Sequence, residues 1–249
     1  MIKCVVPISG GKDSQACLEL ALEHFDVSQI GGLFCDTQFE HPLTYGHIAW
    51  MSENYGIQID RVCGGSVLGK SIKYGRFPGG GARHCTDELK IRETKIYCRE
   101  LAERQGHGFE VWYGMRLKES PARAKRYQGK ISTQLYPPHE VIPQKYPKYL
   151  QKMGVMFRLP VLDWSEGEIM ARLNGRENPL YRAGFGRVGC FPCLAGGDAW
   201  KEKAFQYDDF GRQQLLTTQA VASQIGKSIW TSKGGKARSE GPGCAVCAI

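Results

Sequence analysis

The sequence predicts an α/β fold: a doubly wound, mostly parallel sheet with a helical, cysteine-bearing extension toward the C-terminus. The first observation is a short apolar run rich in β-branched residues at 2–6, followed by two adjacent glycines and by apolar residues at helical spacing over 16–22. The second is that strand-like and helix-like patterns continue to alternate as far as residue 62. The order β-α-β-α-β is typical of parallel sheets, because parallel neighbours need a crossover connection.

The first half of the chain has recognisable element boundaries. Residues 31–35 predict a second strand, 47–55 a helix, and 57–62 a strand with alternating apolar residues. The glycines within 64–83 predict an irregular connection, such as a lid or a disordered loop.

The second half begins with Thr86, a candidate cap for a helix that leads to a strand at 109–113. Further along, Ser165 and Glu168 have the spacing of a capping box, which predicts a helix start. One or two helices are expected over 198–225.

The stretch after the first strand has the chemistry of an anion site. It reads Ser9-Gly10-Gly11-Lys12-Asp13-Ser14 and is called the glycine turn below. Adjacent glycines let the backbone approach a ligand closely, and the start of the next helix directs free N–H groups and a positive dipole end into the turn. The serine hydroxyls and the Lys12 ammonium group add donors and charge, so the turn is predicted to bind a phosphate. The alternative is an ordinary serine-capped turn, and the spacing of a Walker loop is absent.

Composition limits the class of protein. The 249 residues are enough for one large domain, or one domain with an appendage, and 42% hydrophobic with 23% charged residues is typical of a globular protein. No apolar stretch approaches the length of a membrane span, and the N-terminus reads as a strand rather than a signal peptide, so we expect a cytoplasmic protein without a membrane partner. The net charge of +8 indicates a polyanionic or nucleotide partner, or a solvated basic surface.

Charged residues after two of the strands are predicted to share a crevice with the glycine turn. Asp36 follows the second strand, and the carboxyl ends of parallel strands face the ligand crevice; otherwise Asp36 is a helix cap or turn residue. Arg116 and Arg123 follow the strand at 109–113. Guanidinium groups suit bidentate contacts with phosphate or sulfate, and Glu119 is expected to orient one of them.

A basic segment with aromatic residues follows. Over 116–130, six basic residues stand against one acid. Further along, lysines interleave with tyrosines at Lys145, Tyr146, Lys148, Tyr149 and Lys152. Basic side chains follow a phosphate backbone while aromatic rings stack on bases, so DNA or RNA is a candidate partner of this segment, which its prolines predict to be irregular and exposed.

The cysteines fall into two main groups. In a chain without a secretory leader, ten cysteines indicate metal binding or redox chemistry rather than a disulfide framework. Five stand singly in apolar or helical patterns and are expected in the core: Cys4, Cys17, Cys35, Cys63 and Cys98. Four form Cys-x-x-Cys pairs, Cys190 with Cys193 and Cys244 with Cys247. Together the pairs would give a four-thiolate site for Zn²⁺ or a [4Fe–4S] cluster; the alternative is four unliganded surface cysteines.

Several motifs resemble, in the same order, those of the adenylylsulfate (APS) and phosphoadenylylsulfate (PAPS) reductases of the ATP pyrophosphatase superfamily. The DNA phosphorothioation sulfurtransferases share this domain. The glycine turn is similar to the pyrophosphate loop of that superfamily. Further similar segments lie at 36–45, 83–90, 114–123, 162–165, 178–181 and 184–193. Two residues depart from the pattern: Gln38 replaces a glycine, and His84 precedes Cys85 where cluster-bearing members have two adjacent cysteines.

The resemblance implies an adenine nucleotide α-hydrolase-like fold that binds ATP, or PAPS or APS. We expect a nucleotide-binding domain over 1–160 and a helical region with the Cys-x-x-Cys pairs over 161–249. The implied nucleotide contacts are Ser9, Gly10, Gly11, Lys12, Asp13, Ser14, Asp36, Gly114, Arg116 and Arg123. The candidate catalytic residues are Lys12, Asp13, Arg116 and Cys85, and Mg²⁺ is expected at Asp13 or Asp36.

The resemblance favours a [4Fe–4S] cluster over zinc at Cys190, Cys193, Cys244 and Cys247. A second arrangement uses Cys85, Cys190, Cys193 and one C-terminal cysteine, which leaves the other thiol for redox chemistry.

Three functions are therefore considered. The first is an ATP pyrophosphatase-type sulfurtransferase that adenylates a group on nucleic acid or on a small acceptor and receives sulfur from a donor protein. The second is an APS or PAPS reductase that releases sulfite and takes electrons from a donor protein; the Glu-Cys-Gly-x-His string of those reductases is not found at 243–249. The third is a non-catalytic module that binds nucleotide or nucleic acid.

Overall fold

The structure, a computed structural model, describes residues 1–79 and 83–231. Within these residues the chain forms one sheet of five parallel strands in the order β3-β2-β1-β4-β5. The strands are β1 (Cys4–Ile8), β2 (Ile30–Cys35), β3 (Gln58–Val62), β4 (Glu110–Trp112) and β5 (Met156–Arg158). The chain builds outward from β1 to β3 and then crosses to the other side of β1 for β4. The predicted doubly wound α/β fold is confirmed.

Helices cover both faces of the sheet and continue beyond it. They are α1 (Lys12–His24), α2 (Pro42–Tyr55), α3 (Val67–Tyr74), α4 (His84–Thr86), α5 (Arg92–Gln105), α6 (Pro121–Tyr127), α7 (Pro138–Val141), α8 (Tyr149–Lys152), α9 (Glu166–Leu173), α10 (Pro179–Arg182), α11 (Asp198–Gln206) and α12 (Asp209–Ile225). A π-helical turn, Asp87–Ile91, joins α4 to α5, and 3₁₀ turns cover Val27–Gln29 and Leu117–Glu119.

The two faces of the sheet are buried by different helices. Val5 and Val111 pack in a cluster with Leu101 of α5. The neighbouring positions Cys4, Val6 and Ile8 pack in a second cluster with α1, α2 and α9. Successive strand residues point to opposite faces, so a sheet covered on both sides needs continuous apolar strands such as β1.

Several predicted helix boundaries are confirmed. Ser165 caps α9, its hydroxyl accepts the Glu168 N–H, and the Glu168 carboxylate accepts the Ser165 N–H, as a capping box requires. The helices α11 and α12 occupy the range 198–225 in which one or two helices were expected.

Three expectations need correction. The connection at 64–83 is not wholly irregular, because α3 forms within it and is capped by the Ser66 hydroxyl. Thr86 does not cap a helix, since helical structure already begins at His84. Cys63 lies outside the core, because it follows the end of β3 and is exposed, whereas the other four single cysteines are buried.

The approach of two glycines near β4 and β5 gives a test of the sheet's packing. A Cβ atom added to Gly108 would lie 2.1 Å from the carbonyl carbon and oxygen of Gly154, and backbone atoms cannot rotate away. We expect Gly108→Ala to lower the free energy of unfolding by about 2–4 kcal/mol, measured by urea denaturation.

The matched control is Gly46→Ala in α2, where an added Cβ meets nothing within 4 Å. This variant should be neutral or more stable by up to about 1 kcal/mol, because alanine is the better helix former. Equal stability of the two variants would show that Gly108 and Gly154 do not pack as described.

Candidate active site

The glycine turn lies where the strand order of the sheet reverses, between β1 and α1, with β2 on one side of β1 and β4 on the other. Gly10 has φ +73°, and an added Cβ would lie 2.4 Å from the Thr44 methyl group. Ser14 Oγ donates to the Gly11 carbonyl at 2.9 Å and accepts the Ser9 N–H at 3.2 Å. The turn is thus fixed by its own hydroxyl groups at the position where doubly wound sheets bind ligands.

The loop after β4 packs directly on the turn. A Cβ at Gly114 would lie 2.6 Å from the Asp13 carbonyl carbon and 2.8 Å from the Ser14 nitrogen. Two residues further on, the buried Arg116 donates through Nε to Asp13 Oδ1 at 2.5 Å. The structure therefore brings together Asp13, Gly114 and Arg116, which the sequence assigned to one crevice.

Lys12 faces a second carboxylate. Its side chain is 5% exposed, and Nζ lies 3.0 Å from Glu166 Oε1 and 3.0 Å from the Gly186 carbonyl oxygen. The ammonium group also lies 4.6 Å from the centre of the Tyr181 ring. Lys12 and Arg116 are thus each paired with an acid.

Residues from the second half of the chain cover the turn. The Tyr181 hydroxyl accepts the Lys12 N–H at 3.0 Å, and Asn178 Nδ2 donates to the Gly10 carbonyl at 3.1 Å. Sequence reasoning did not assign Glu166, Asn178 or Tyr181 to the site. Asn178 and Tyr181 lie in a segment that resembles the reductase family, and that was the signal available for them.

Asp36 lies at the carboxyl end of β2, as predicted, and is fully buried. It accepts the Tyr45 hydroxyl at 2.7 Å, the Gln38 N–H at 2.8 Å and Arg61 Nε at 2.9 Å. Burial opposes ionisation of Asp36, but these three donors outweigh it and hold the pKa of the carboxyl below its usual range. Arg61 is a partner that the sequence analysis missed.

Arg123 is fully buried and pairs with Glu119, so the predicted role of Glu119 as partner of an arginine is confirmed. Burial raises the pKa of Glu119, and the charge of Arg123 opposes that rise. The buried pair fixes α6 against the 3₁₀ turn that follows Arg116.

Cys190 lies beside Glu40. Cys190 Sγ lies 3.3 Å from Thr37 Oγ1 and 3.8 Å from Glu40 Oε1, and the backbones of Glu40 and Cys190 form an antiparallel bridge. Burial, followed by the charge of Glu40, raises the pKa of the Cys190 thiol, and the thiols of Cys193 and Cys85 act in the same direction. Cys85 therefore lies within electrostatic reach of the Cys190–Cys193 pair.

The structure describes two of the four cysteines of the predicted four-thiolate site. Cys190 and Cys193 are described, whereas Cys244 and Cys247 lie outside the described residues. Among residues 1–79 and 83–231, no group of three or more His, Cys, Asp or Glu side chains is arranged to hold a metal ion. The described thiols have the right donor chemistry for a cluster but make up half of the predicted ligand set.

The chain matches a known protein family over most of its length. Residues 3–195 match the profile of the phosphoadenosine phosphosulfate reductase domain, which covers more than half of the chain. The chain belongs to this family. The expected resemblance to PAPS reductase-like proteins is thereby confirmed, and the doubly wound sheet with the glycine turn after β1 is the family fold as this chain builds it.

Two relatives are similar over most of this chain. An uncharacterized 37.8 kDa protein of Escherichia phage 186 is 26% identical, with 76% of this chain and 66% of the relative covered. An uncharacterized protein of Methanocaldococcus jannaschii is 30% identical, with 77% of this chain and 36% of the relative covered. The chain thus spans less than two thirds of the length of either relative.

Among solved structures, an FMN adenylyltransferase of Candida glabrata has a similar fold, with a TM-score of 0.50 and 17% identity over 77% of this chain and 54% of that protein.

In the described part of this chain, no helix combines the length and the apolar character needed to cross a membrane.

The burial of His47 makes the stability of the folded protein depend on pH. His47 is buried, stacks on Trp50 and lies 2.9 Å from Gln15 Oε1, which orients α1 behind the glycine turn. Burial lowers the pKa of His47 from 6.5 to about 4, with the charge of Glu177 in opposition. The histidine is therefore neutral in the folded protein, whereas the unfolded chain gains a proton as the pH falls below 6.5.

We expect the free energy of unfolding to fall by about 2 kcal/mol between pH 7 and pH 5 through His47 alone. In His47→Gln this loss should disappear over the window between 6.5 and about 4, because glutamine does not titrate. The measurement is urea denaturation of both proteins at several pH values. A slope that His47→Gln leaves unchanged would assign the pH dependence to another group.

The pair between Lys12 and Glu166 predicts an effect on anion binding. If Lys12 holds a phosphate, Glu166→Gln removes a competing charge and should tighten the binding of inorganic pyrophosphate roughly threefold to tenfold, because a partly exposed ion pair is worth about 1 kcal/mol. Isothermal titration calorimetry measures the affinity. The control is Glu53→Gln on the exposed side of α2, and weaker or equal binding in Glu166→Gln would remove Lys12 from the anion site.

Proposed function

We propose that this protein is an ATP pyrophosphatase-type enzyme that adenylates an acceptor, with nucleic acid as the acceptor class and sulfur insertion as the outcome. The observation that carries the proposal is the pairing of both turn cations with carboxylates, Lys12 with Glu166 and Arg116 with Asp13. A ligand that takes Arg116 must also leave Asp13 with a partner, because the Asp13 side chain is mostly buried and an unpaired buried charge is costly, whereas Glu166 is 62% exposed and can be hydrated.

A metal–triphosphate complex meets both requirements. Its phosphate oxygens would replace Glu166 and Asp13 as partners of Lys12 and Arg116, and the Asp13 carboxylate would then be available to hold Mg²⁺. Asp36 is the poorer ligand, because Arg61, Tyr45 and a backbone N–H already occupy its oxygens. Bound Mg²⁺ would neutralise charge on the phosphates. A nucleotide without metal would satisfy the cations and leave Asp13 buried and unpaired.

The residues of the turn would then hold and orient the leaving pyrophosphate. The N–H groups at the start of α1 and the hydroxyls of Ser9 and Ser14 suit phosphate oxygens. Tyr181 and Asn178 keep the turn in this shape from outside. Lys12 and Arg116 balance the charge that develops as the bond between the α- and β-phosphates breaks.

A [4Fe–4S] cluster that carries sulfur is part of this proposal. Cys190 and Cys193 would hold it, with Cys244 and Cys247 or with Cys85 and one C-terminal cysteine. Cys85 and Cys190 pack against the same apolar cluster, but Cys85, Cys190 and Cys193 are not grouped as metal ligands among the described residues, so the first set is preferred. Zinc is the alternative metal, and a sulfur donor protein would be a partner.

A second candidate is an APS or PAPS reductase that releases sulfite. The observation that favours it is the position of Cys190, whose thiol touches Thr37 directly beyond the carboxyl end of β2. A thiolate there would attack the sulfur of a bound sulfonucleotide and free the nucleotide.

One experiment separates these functions. The full chain is reconstituted anaerobically with iron and sulfide and supplied with ATP and Mg²⁺, with and without an oligonucleotide, or with PAPS and a thiol reductant. We expect pyrophosphate from ATP and little sulfite. Lys12→Ala should lower pyrophosphate release at least about 100-fold, because it removes a cation from the developing charge.

The control variant is Lys3→Ala, an exposed lysine before the start of β1 that should keep full activity. Sulfite without pyrophosphate would overturn the proposal in favour of the reductase. Nucleotide binding without either product would indicate a non-catalytic module.

A further inference from the structure

A groove of about 480 Å³ lies between the start of α5 and the segment 144–149. Arg92, Lys95 and Ile96 line one wall, and Lys145, Tyr146 and Tyr149 are among the residues of the other. This groove uses none of the residues of the glycine turn, so it is a separate surface.

The walls of the groove carry cations without acidic partners. Arg92 and Lys95 lie one helical turn apart on α5 and line the groove. Lys148 and Lys152 do not line it, but they are exposed at the two ends of α8, next in the chain to the opposite wall. None of these four forms an ion pair with a described acid, whereas Lys145 Nζ lies 2.8 Å from Asp87 Oδ2. Two facing rows of cations match an extended polyanion better than a single phosphate.

Between the rows the surface is apolar and aromatic. Tyr149 is 42% exposed, which leaves a ring available for stacking. Tyr146 is buried, so the sequence-based expectation that both tyrosines contact a ligand needs correction for this residue. A groove that combines cations for phosphates with one ring for a base suits single-stranded nucleic acid, because the bases of a duplex are already stacked.

The groove adjoins the candidate active site. The Tyr146 hydroxyl lies 2.8 Å from the Tyr113 hydroxyl, and Tyr113 immediately precedes Gly114, which packs on Asp13. On the other wall, Asp87 is two residues from Cys85. The groove is therefore linked to the loop after β4 by the contact between Tyr146 and Tyr113, and to the segment that contains Cys85 by the ion pair between Lys145 and Asp87.

We propose that this groove binds single-stranded nucleic acid and thereby positions the acceptor. The inference rests on the proposed function for its choice of acceptor, but the binding itself requires neither nucleotide nor catalysis. An acidic protein segment is the competing occupant, and the exposed ring of Tyr149 distinguishes the two, because stacking on a ring favours bases.

The test is fluorescence anisotropy with the full chain and labelled oligonucleotides of about 12 nucleotides: single-stranded DNA, single-stranded RNA and a DNA hairpin. Arg92→Glu with Lys148→Glu should weaken single-strand binding at least tenfold. The slope of log affinity against log salt should become shallower by about 1.4, as expected for the loss of two phosphate contacts. Tyr149→Ala should cost about tenfold with single strands and less than twofold with the hairpin.

The matched control is Lys3→Glu with Arg104→Glu, which changes the net charge equally at two exposed positions, one before the start of the central strand β1 and one at the end of α5 far from Arg92. Equal losses in the two double variants would show that only overall charge matters and would overturn the inference. Efficient competition by a poly-glutamate peptide, with no effect of Tyr149→Ala, would overturn it in favour of an acidic protein.

Failure of this inference and failure of the proposed function give different results. Groove variants that bind oligonucleotides normally, in a protein that releases pyrophosphate, contradict the groove alone. Oligonucleotide binding that depends on the groove, in a protein that produces no pyrophosphate, supports the groove and contradicts the adenylating function.

Discussion

The glycine turn and the loop after β4 approach so closely that no side chain fits between them. An added Cβ at Gly114 would lie 2.6 Å from the backbone of Asp13, and one at Gly10 would lie 2.4 Å from Thr44. This follows from topology: β1 and β4 are parallel neighbours, so the segments that leave their carboxyl ends share one space. Because Gly114 permits the approach, Arg116 reaches Asp13, and the proposed phosphate site acquires its second cation from a segment about a hundred residues away.

Burial of these cations explains why the site contains so many acids. A buried lysine or arginine without a partner would cost several kcal/mol, so the ligand-free protein stabilises Lys12 with Glu166 and Arg116 with Asp13. A ligand that binds these cations would have to replace their carboxylate partners, so its affinity would reflect the difference between the new and the old ion pairs. An exchange selects for a ligand that brings charges of both signs, which is a stricter requirement than affinity for phosphate.

The sequence predicted those features that depend on local pattern. The run of β1, the glycine turn and α1 is determined within about twenty residues, and so is the capping box of α9. β5 was not predicted, because its three residues become a strand only by pairing with β4. Likewise, Lys12 and Glu166 are 154 residues apart, and Tyr146 is buried because Tyr113 hydrogen-bonds to it. Local sequence patterns do not indicate such distant pairs. The acidic partners in the site and the burial of part of the basic segment could therefore be found only from the structure.

The two basic regions of the molecule differ in the electrostatic attraction that they exert on an approaching anion. Lys12 and Arg116 are buried and face carboxylates, so their field largely cancels until a ligand displaces those partners. Arg92 and Lys148 are exposed and without ion pairs among the described acids, so they attract a polyanion across about 8 Å at physiological salt. Capture at the groove would therefore depend on salt, whereas nucleotide selection by exchange would depend on it weakly. The hydrogen bond between Tyr113 and Tyr146 links one wall of the groove to the strand end that leads into Gly114, so the two regions share a buried contact although they attract anions by different means.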